Sequence, residues 1–428
     1  MQVKGMVQAD VSARSAQGAN LAPGYSYPSL ADGDTSDLTK KRVRIVLWHL
    51  GRAGAGAKFT VELAREMRKN PDLGIAVVAS RSSELEARCH ALGMSTYGVP
   101  TFEGDKATWY GMAAAARGLM RLPILTRTFR QLLTERCIDV AICTMPAVWD
   151  IAMVAALSRV PTKMVLVLHD AFVHPGDEYP MRQTLWHHNL RLADALIVLS
   201  DHVREQVVSI LGYPAEQVWK MPHGAFTFGD TVSPASHPRG ARPLRLLFFG
   251  RIMPYKGLGH LLRACHALQD RGIPTDLTIA GSGKLGPYAG LLDRLHGVQI
   301  HNRWLDDGEI ELLLKGSDVA VLPYIEASQS GVAATAYAAG RPVVATPVGG
   351  LTEQVIHGVT GLLAQDMSVE AFANALETFI KDPELLDRCA IGALGHAGDM
   401  LNWRRSAEVV TEAVAAVLAL PHAGHSSR

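Results

Sequence analysis

The stretch Asp318–Glu353 reads DVAVLPYIEASQSGVAATAYAAGRPVVATPVGGLTE. Its first residues, Asp318–Leu322, form an apolar run that stops at Pro323, as a strand buried on both faces should. Tyr324–Ser330 is polar and irregular, and Gly331 opens a helix over Val332–Ala339 whose many alanines require close packing. Arg341-Pro342 breaks that helix, and Val343–Ala345 is the next buried strand. Ser328, Gln329, Ser330 and Gly331 precede the helix. Backbone N–H groups at such an end carry about half a positive charge and suit a phosphate. The pattern is also that of an ordinary strand–loop–helix unit that binds nothing.

Working outward, the same alternation fills most of the 428 residues. Val43–Leu50 reads as a buried strand, followed by the turn Gly51-Arg-Ala-Gly-Ala-Gly and a helix over Ala57–Lys69 with apolar Phe59, Leu63 and Met67. Strand, glycine-rich turn and helix open a Rossmann-like unit, although the GxGxxG spacing is not met. Further strands are expected at Gly74–Ser80, Asp139–Thr144, Lys163–His169 and Asp194–Ser200, with helices at Ser83–Leu92, Val148–Ser158 and Asp201–Leu211. Ala225–Pro243, rich in Pro, Gly and Ser, reads as a linker. The alternation then restarts at Leu244–Phe249, with a helix from Lys256 and strands at Asp276–Ala280 and Val298–His301. The expected fold is α/β, two tandem Rossmann-like domains facing a central cleft. The first spans 41–225 and the second 244–402, joined by 226–243. Helix 403–418 is placed to pack back on the first domain, and 1–40 reads as a disordered tail poor in large apolar residues.

Composition narrows the function. With 48% hydrophobic and 19% charged residues the chain is globular, and a net charge of +1 offers no footprint for nucleic acid. Cys89, Cys137, Cys143, Cys265 and Cys389 lack metal or disulfide spacing, which suits a reducing cytoplasm. Uncharged apolar runs of about 18 residues are missing, and the N-terminus lacks the order of a signal peptide. The expected location is cytoplasmic.

The residues with chemistry cluster at strand ends. Leu246–Gly257 reads LLFFGRIMPYKG, which sets Arg251 and Lys256 between a buried strand and a helix, where two cations suit a diphosphate. His169 ends a buried strand at the cleft edge of the first domain. Other matches are refused. Ala280-Gly-Ser-Gly-Lys284 is no P-loop, because Leu285 replaces Ser or Thr. Asp306-Asp307 looks like a helix N-cap rather than a metal pair, and His187-His188 would point to different sides of a helix.

Together, the glycine-rich first turn, His169-Asp170 after a strand, Gly250-Arg251-x4-Lys256-Gly257 and the block from Gly331 to Glu353 resemble the family 4 retaining glycosyltransferases of GT-B fold. The resemblance covers Val43 to Leu418. It implies that Arg251 and Lys256 hold the donor diphosphate, that His169 lines the sugar site, and that Gly54 and Gly56 close over the donor phosphates. Ser330 and Gly331 would cap the diphosphate, and Thr335 would reach the ribose. The sequence departs from the family at its pair of glutamates, where Ser328 and Thr335 stand instead; Glu326 lies two residues before Ser328 and is expected to reach the donor sugar. The resemblance implies a hexosyltransferase that uses a nucleoside-diphosphate sugar as substrate, needs neither cofactor nor metal, and serves polysaccharide or glycolipid synthesis. A nucleotide-sugar epimerase and a non-catalytic partner subunit are the alternatives. The implied acceptor is a lipid-linked or oligosaccharide hydroxyl.

Asp105–Arg136 carries Lys106, Arg117, Arg121, Arg127, Arg130 and Arg136 against two acids, a net +4, interleaved with Trp109, Tyr110, Met112 and Phe129. Pro123 is expected to split it into two helices. The segment reads either as ordinary amphipathic helices or as a peripheral contact with anionic lipid on the inner membrane face.

Overall fold

The computed structural model describes residues 42–51, 53–101, 109–175, 189–227, 233–234 and 242–419, the side chains of 109–119 excepted. Within Arg42–Arg428 the chain builds two parallel sheets. The first has seven strands: β1 Val43–His49, β2 Leu73–Ser80, β3 Thr96–Val99, β4 Val140–Cys143, β5 Lys163–Leu168, β6 Ala195–Val198 and β7 Val218–Lys220. Their order is β3-β2-β1-β4-β5-β6-β7. The second has six: β8 Leu244–Phe249, β9 Thr275–Ala280, β10 Val298–His301, β11 Val319–Leu322, β12 Val343–Ala345 and β13 Gly361–Leu363, ordered β10-β9-β8-β11-β12-β13.

Every pairing is parallel, so each connection is a crossover and both sheet faces are covered. That is why the central strands are continuous apolar runs with no polar face. In each sheet the strand order reverses beside the first strand, between β1 and β4 and between β8 and β11. Ligands of such sheets bind outside the carboxyl ends of the strands at that reversal. The loops leaving β1, β5, β8 and β11 carry the glycine-rich turn, His169, Arg251–Lys256 and Tyr324–Ser330.

Four apolar cores hold these layers. One of them joins Ile45, Leu47 and Val165 to Phe59 and Leu63, and also to Trp403, Val410, Val414 and Val417 of the last helix, Trp403–Ala419. That helix therefore lies on the first sheet although it follows the second in the chain. The Trp403 indole donates to the Ala225 carbonyl at 2.9 Å, and the Ala225 N–H donates to Leu401 at 2.7 Å, so the two strands of chain passing between the domains are tied together. A Cβ on Gly224 would lie 2.3 Å from the Trp403 ring, so only glycine fits there.

Pro123 does not split its segment: a single helix runs Trp109–Glu135 with the proline inside it. A proline removes one helical hydrogen bond, but Leu125, Phe129 and Leu133 are buried at four-residue spacing, with Leu122 packed beside them, so one apolar stripe holds the helix to the sheet across that point. The short strands β3, β7 and β13 were not expected; their sequences Thr96–Val99, Val218–Lys220 and Gly361–Leu363 include polar residues or glycine and so do not read as uninterrupted apolar runs. The helix expected over Asp201–Leu211 is α-helical only to Glu205 and widens to a π-helical turn over Gln206–Ile210. Asp306 is an N-cap: it accepts from Glu309 N–H, and Glu309 returns the bond. The pair His187-His188, the tail 1–40 and most of the linker lie outside the described residues.

Candidate active site

The glycine-rich turn is shaped by packing. A Cβ on Gly51 or Gly56 would come within 2.4 and 2.6 Å of the His49 ring, whose Nδ1 lies 2.9 Å from the Met145 carbonyl. Gly54 has φ 105°, a conformation that disfavours other residues. Its N–H donates to the Glu84 carboxylate at 2.9 Å, and a Cβ there would meet Trp304 of the second domain at 3.4 Å. The turn thus faces the second domain, with Glu84 holding the Gly54 amide. Glu84 also receives Arg88, which reaches Asp307 at 3.0 Å; Asp307 in turn pairs with Lys58. A chain of charges so links the turn to the N-terminus of helix Asp307–Gly316.

His169 is buried immediately after the end of β5. Its Nε2 lies 2.9 Å from the Thr144 carbonyl, an acceptor, so Nε2 carries the proton. Burial lowers its pKa against the partial support of that carbonyl, and the ring is neutral, with Nδ1 as an acceptor. It meets Phe59 edge-on at 4.9 Å, and His223 at 6.4 Å. His223 is also buried; burial and then the neighbouring His169 push its pKa down to about 4. Its Nδ1 faces the Gly224 carbonyl, and its Nε2 would stand 3.1 Å from a Cβ on Gly331. Glycine at 331 thus lets the helix N-terminus lie close to the His223 ring of the first domain, where a Cβ would be tight.

On the second domain, Arg251 is exposed and Lys256 half-buried. The Lys256 ammonium lies over the Tyr324 ring at 3.9 Å and the Tyr255 ring at 5.2 Å. Gly257 has φ 68°, and a Cβ there would sit 1.8 Å from the Pro323 carbonyl, so only glycine lets this loop lie against the end of β11. Ser330 precedes helix Gly331–Ala338. Its N–H donates to Gln354 Oε1 at 2.7 Å, so that amide is committed within the protein and the helix offers the amides of its first turn. Thr335 is buried, and its hydroxyl donates back to the Gly331 carbonyl at 2.7 Å.

With seven residues intervening, the position paired with Thr335 is Ala327 and not Ser328, so Glu326 is displaced by one residue. Ala327 is buried, whereas the Glu326 side chain is 45% exposed. His174, which nothing in the sequence singled out, lies between the domains. Its Nε2 is 2.9 Å from Asp170 Oδ1, its Nδ1 is 3.2 Å from Glu326 Oε1, and its ring stacks on Tyr255 at 4.6 Å. Burial opposes its charge, but Asp170 and Glu326 outweigh it and raise its pKa. The spacing His169-Asp170-x3-His174 on a loop leaving a strand was the available signal. Among the described residues, no group of three or more His, Cys, Asp or Glu is arranged to hold a metal ion.

Two doubly wound parallel sheets whose carboxyl ends meet over a shared cleft, with basic residues on one wall and buried histidines on the other, define the GT-B class. Residues 54–224 match a family described as "Glycosyl transferase 4-like domain", and residues 243–382 match "Glycosyl transferases group 1". Together these matches span most of the chain, and both of its domains are glycosyl transferase domains. It is 30% identical over 233 residues to a glycogen synthase of Mycobacterium tuberculosis, covering 52% of this chain and 54% of that protein. It is 34% identical over 235 residues to a D-inositol 3-phosphate glycosyltransferase of Actinosynnema mirum, covering 50% and 56%. The chain thus spans about half the length of these relatives. In fold it is similar to Anabaena HepE, solved in complex with UDP and glucose, with a TM-score of 0.67 at 18% identity over 88% of this chain and 100% of that one.

Proposed function

We propose that the chain is a retaining glycosyltransferase that moves a hexose from a nucleoside-diphosphate sugar to an acceptor hydroxyl. What supports this reading is that His169 follows β5 of the first sheet, Lys256 and Glu326 follow β8 and β11 of the second, and His174 of the first domain touches Tyr255 and Glu326 of the second. As the bond from the sugar to the diphosphate breaks, the sugar becomes oxocarbenium-like and negative charge grows on the leaving group. Arg251, Lys256 and the first-turn amides of helix Gly331–Ala338 are suited to stabilise that charge as it develops. Those two cations supply the neutralisation that a metal gives elsewhere. Neutral His169, its Nε2–H held by Thr144, offers Nδ1 to a sugar hydroxyl. Gly54 and Gly56 shape the turn above the donor, and Thr335 is a weaker ribose partner than a carboxylate would be.

Both family matches are to glycosyl transferases, which favours transfer over epimerisation. Two curated relatives are named for glycogen and for D-inositol 3-phosphate, which supports a carbohydrate or polyol hydroxyl as the acceptor. Incubation with radiolabelled UDP-, GDP- and ADP-sugars is the test. Nucleotide release with transfer or hydrolysis is expected; an isomerised sugar, or no reaction with any donor, overturns the reading.

We further propose peripheral contact with an anionic membrane through helix Trp109–Glu135. Met120 and Ile124 are 71% and 66% exposed, beside exposed Arg121, Arg127 and Arg130. Two large apolar side chains among cations suit an anionic lipid surface, where each basic residue contributes about 1 kcal/mol. Arg136 belongs to a different environment, over the Tyr97 ring at 5.7 Å. Among the described residues, no helix is long and apolar enough to cross a membrane.

A further inference from the structure

His174 leaves the first domain and ends among side chains of the second. Both of its ring nitrogens face carboxylate oxygens, Asp170 Oδ1 at 2.9 Å and Glu326 Oε1 at 3.2 Å. Nε2 shares a hydrogen bond with Asp170, whereas the buried Nδ1 has no hydrogen-bond partner and stands at ion-pair distance from Glu326, so the Glu326 contact is attractive when the ring is doubly protonated. The Tyr255 ring lies against it at an interplanar angle of 17°, which fixes the plane in which the two N–H groups point. The Ser328 hydroxyl is 3.5 Å from Nε2. Among the described residues, further charged or titratable groups around this cluster include His169, beside Asp170, and Lys256, over the Tyr255 ring.

Glu326 needs such an anchor. It is the only carboxylate between Asp318 and Gly340, and its side chain is half-exposed on a loop. Left to itself a glutamate there would sample several rotamers, at an entropic cost when ordered for chemistry. Asp170 is poorly placed to hold it directly, because like charges repel. A protonated imidazole between the two offsets that repulsion, with one charge-assisted hydrogen bond to Asp170 and one ion pair with Glu326.

We propose that His174 is a positioning residue that locks Glu326 of the second domain to Asp170 of the first, and so presents a fixed carboxylate to the donor sugar. The catalytic half of this proposal rests on the glycosyltransferase reading; the link itself does not. Its chemistry has a direction in pH. Above the His174 pKa the ring loses one proton, one of the two contacts becomes a lone pair facing a carboxylate, and Glu326 is released.

The test begins without any donor. Full-length protein labelled at histidine is titrated by NMR, with His174 assigned from its absence in His174→Gln. Glu326→Gln and Asp170→Asn should each lower the His174 pKa by about one unit, the size of one charge partner. Glu326→Gln alters a half-exposed side chain, so its fold is the safer of the two. A His174 pKa unmoved by Glu326→Gln overturns the link. With the nucleotide sugar that turns over in the donor panel, His174→Gln and Glu326→Gln should each reduce kcat/KM about tenfold or more, and the double variant no further. The alkaline fall of kcat/KM set by His174 in the parent protein should be lost in His174→Gln. Additive losses, or a full kcat/KM in His174→Gln, overturn the catalytic half. A donor panel that gives no turnover contradicts the glycosyltransferase reading, while the titration still decides the link.

Discussion

The Ser200 hydroxyl donates to the Ser328 carbonyl at 2.7 Å, joining the end of a first-domain strand to the loop that follows β11. Both residues are buried. The approach depends on Gly349 and Gly350, where a Cβ would fall 1.9 Å from the Ala327 carbonyl and 2.0 Å from that of Ser328. Beside it, the Glu353 carboxylate accepts the N–H groups of Asp201 and His202 at 2.9 and 3.1 Å. Ser200→Ala leaves a buried carbonyl without its partner, at a cost of about 1–3 kcal/mol. A thermal melt should show the loss, and an unchanged Tm would remove this bond from the account of how the domains join.

Lys256→Ala should lower turnover about a hundredfold, as expected for a charged contact to a developing anion, with the far-ultraviolet circular dichroism unchanged. Its side chain is half-buried with the ammonium over the Tyr324 and Tyr255 rings, so the circular dichroism spectrum is the control for the fold. Near-normal turnover would sink its role at the diphosphate.

Glu326→Gln should lower kcat/KM strongly while Ser328→Ala retains most of it. The contrast follows from the structure, in which the Ser328 backbone carbonyl serves the domain joint and its side chain stands 3.5 Å from His174. The reverse ranking would assign the sugar contact to Ser328.

Asp318 tests the second domain's stability against pH. It is buried, yet Arg242 and Arg245 outweigh the burial and bring its pKa from 3.8 to about 2. A carboxylate with a depressed folded pKa stabilises above its unfolded pKa, and that contribution is lost as pH falls from about 3.8 toward about 2. At 1.36 kcal/mol per unit, the shift corresponds to about 2 kcal/mol at neutral pH. Asp318→Asn should therefore be less stable than the parent at pH 7, and the gap should narrow below pH 4. A gap of the same size at pH 7 and pH 3, in chemical denaturation, contradicts the assignment.

Flotation with vesicles tests the membrane contact. At low salt the protein should rise with anionic vesicles and less with neutral ones, and the difference should vanish on changing Arg117, Arg121, Arg127 and Arg130 to Glu. Equal recovery on both vesicle types leaves helix Trp109–Glu135 as an ordinary packed helix.

The amino-acid sequence by itself determined the layered architecture. Runs such as Val43–Leu50 and Val343–Ala345 are apolar on both faces, and only a parallel sheet covered on two sides buries them. Their alternation with amphipathic helices, broken once at Ala225–Pro243, requires two such sheets. Local chemistry was equally legible where one residue decides it, as at Asp306, whose cap is completed three residues away. Tertiary structure alone decided which groups meet. Pro123 stays inside one helix, with Leu122 before it and Leu125, Phe129 and Leu133 after it packed into the same apolar cluster, which no local propensity records. The Ser330 and Gly54 amides are engaged by Gln354 and Glu84, both remote in the chain. His174 faces Glu326 across a separation of more than a hundred residues, and the joining contact is one of charge and distance that exists only once the loops after β5 and β11 are brought together.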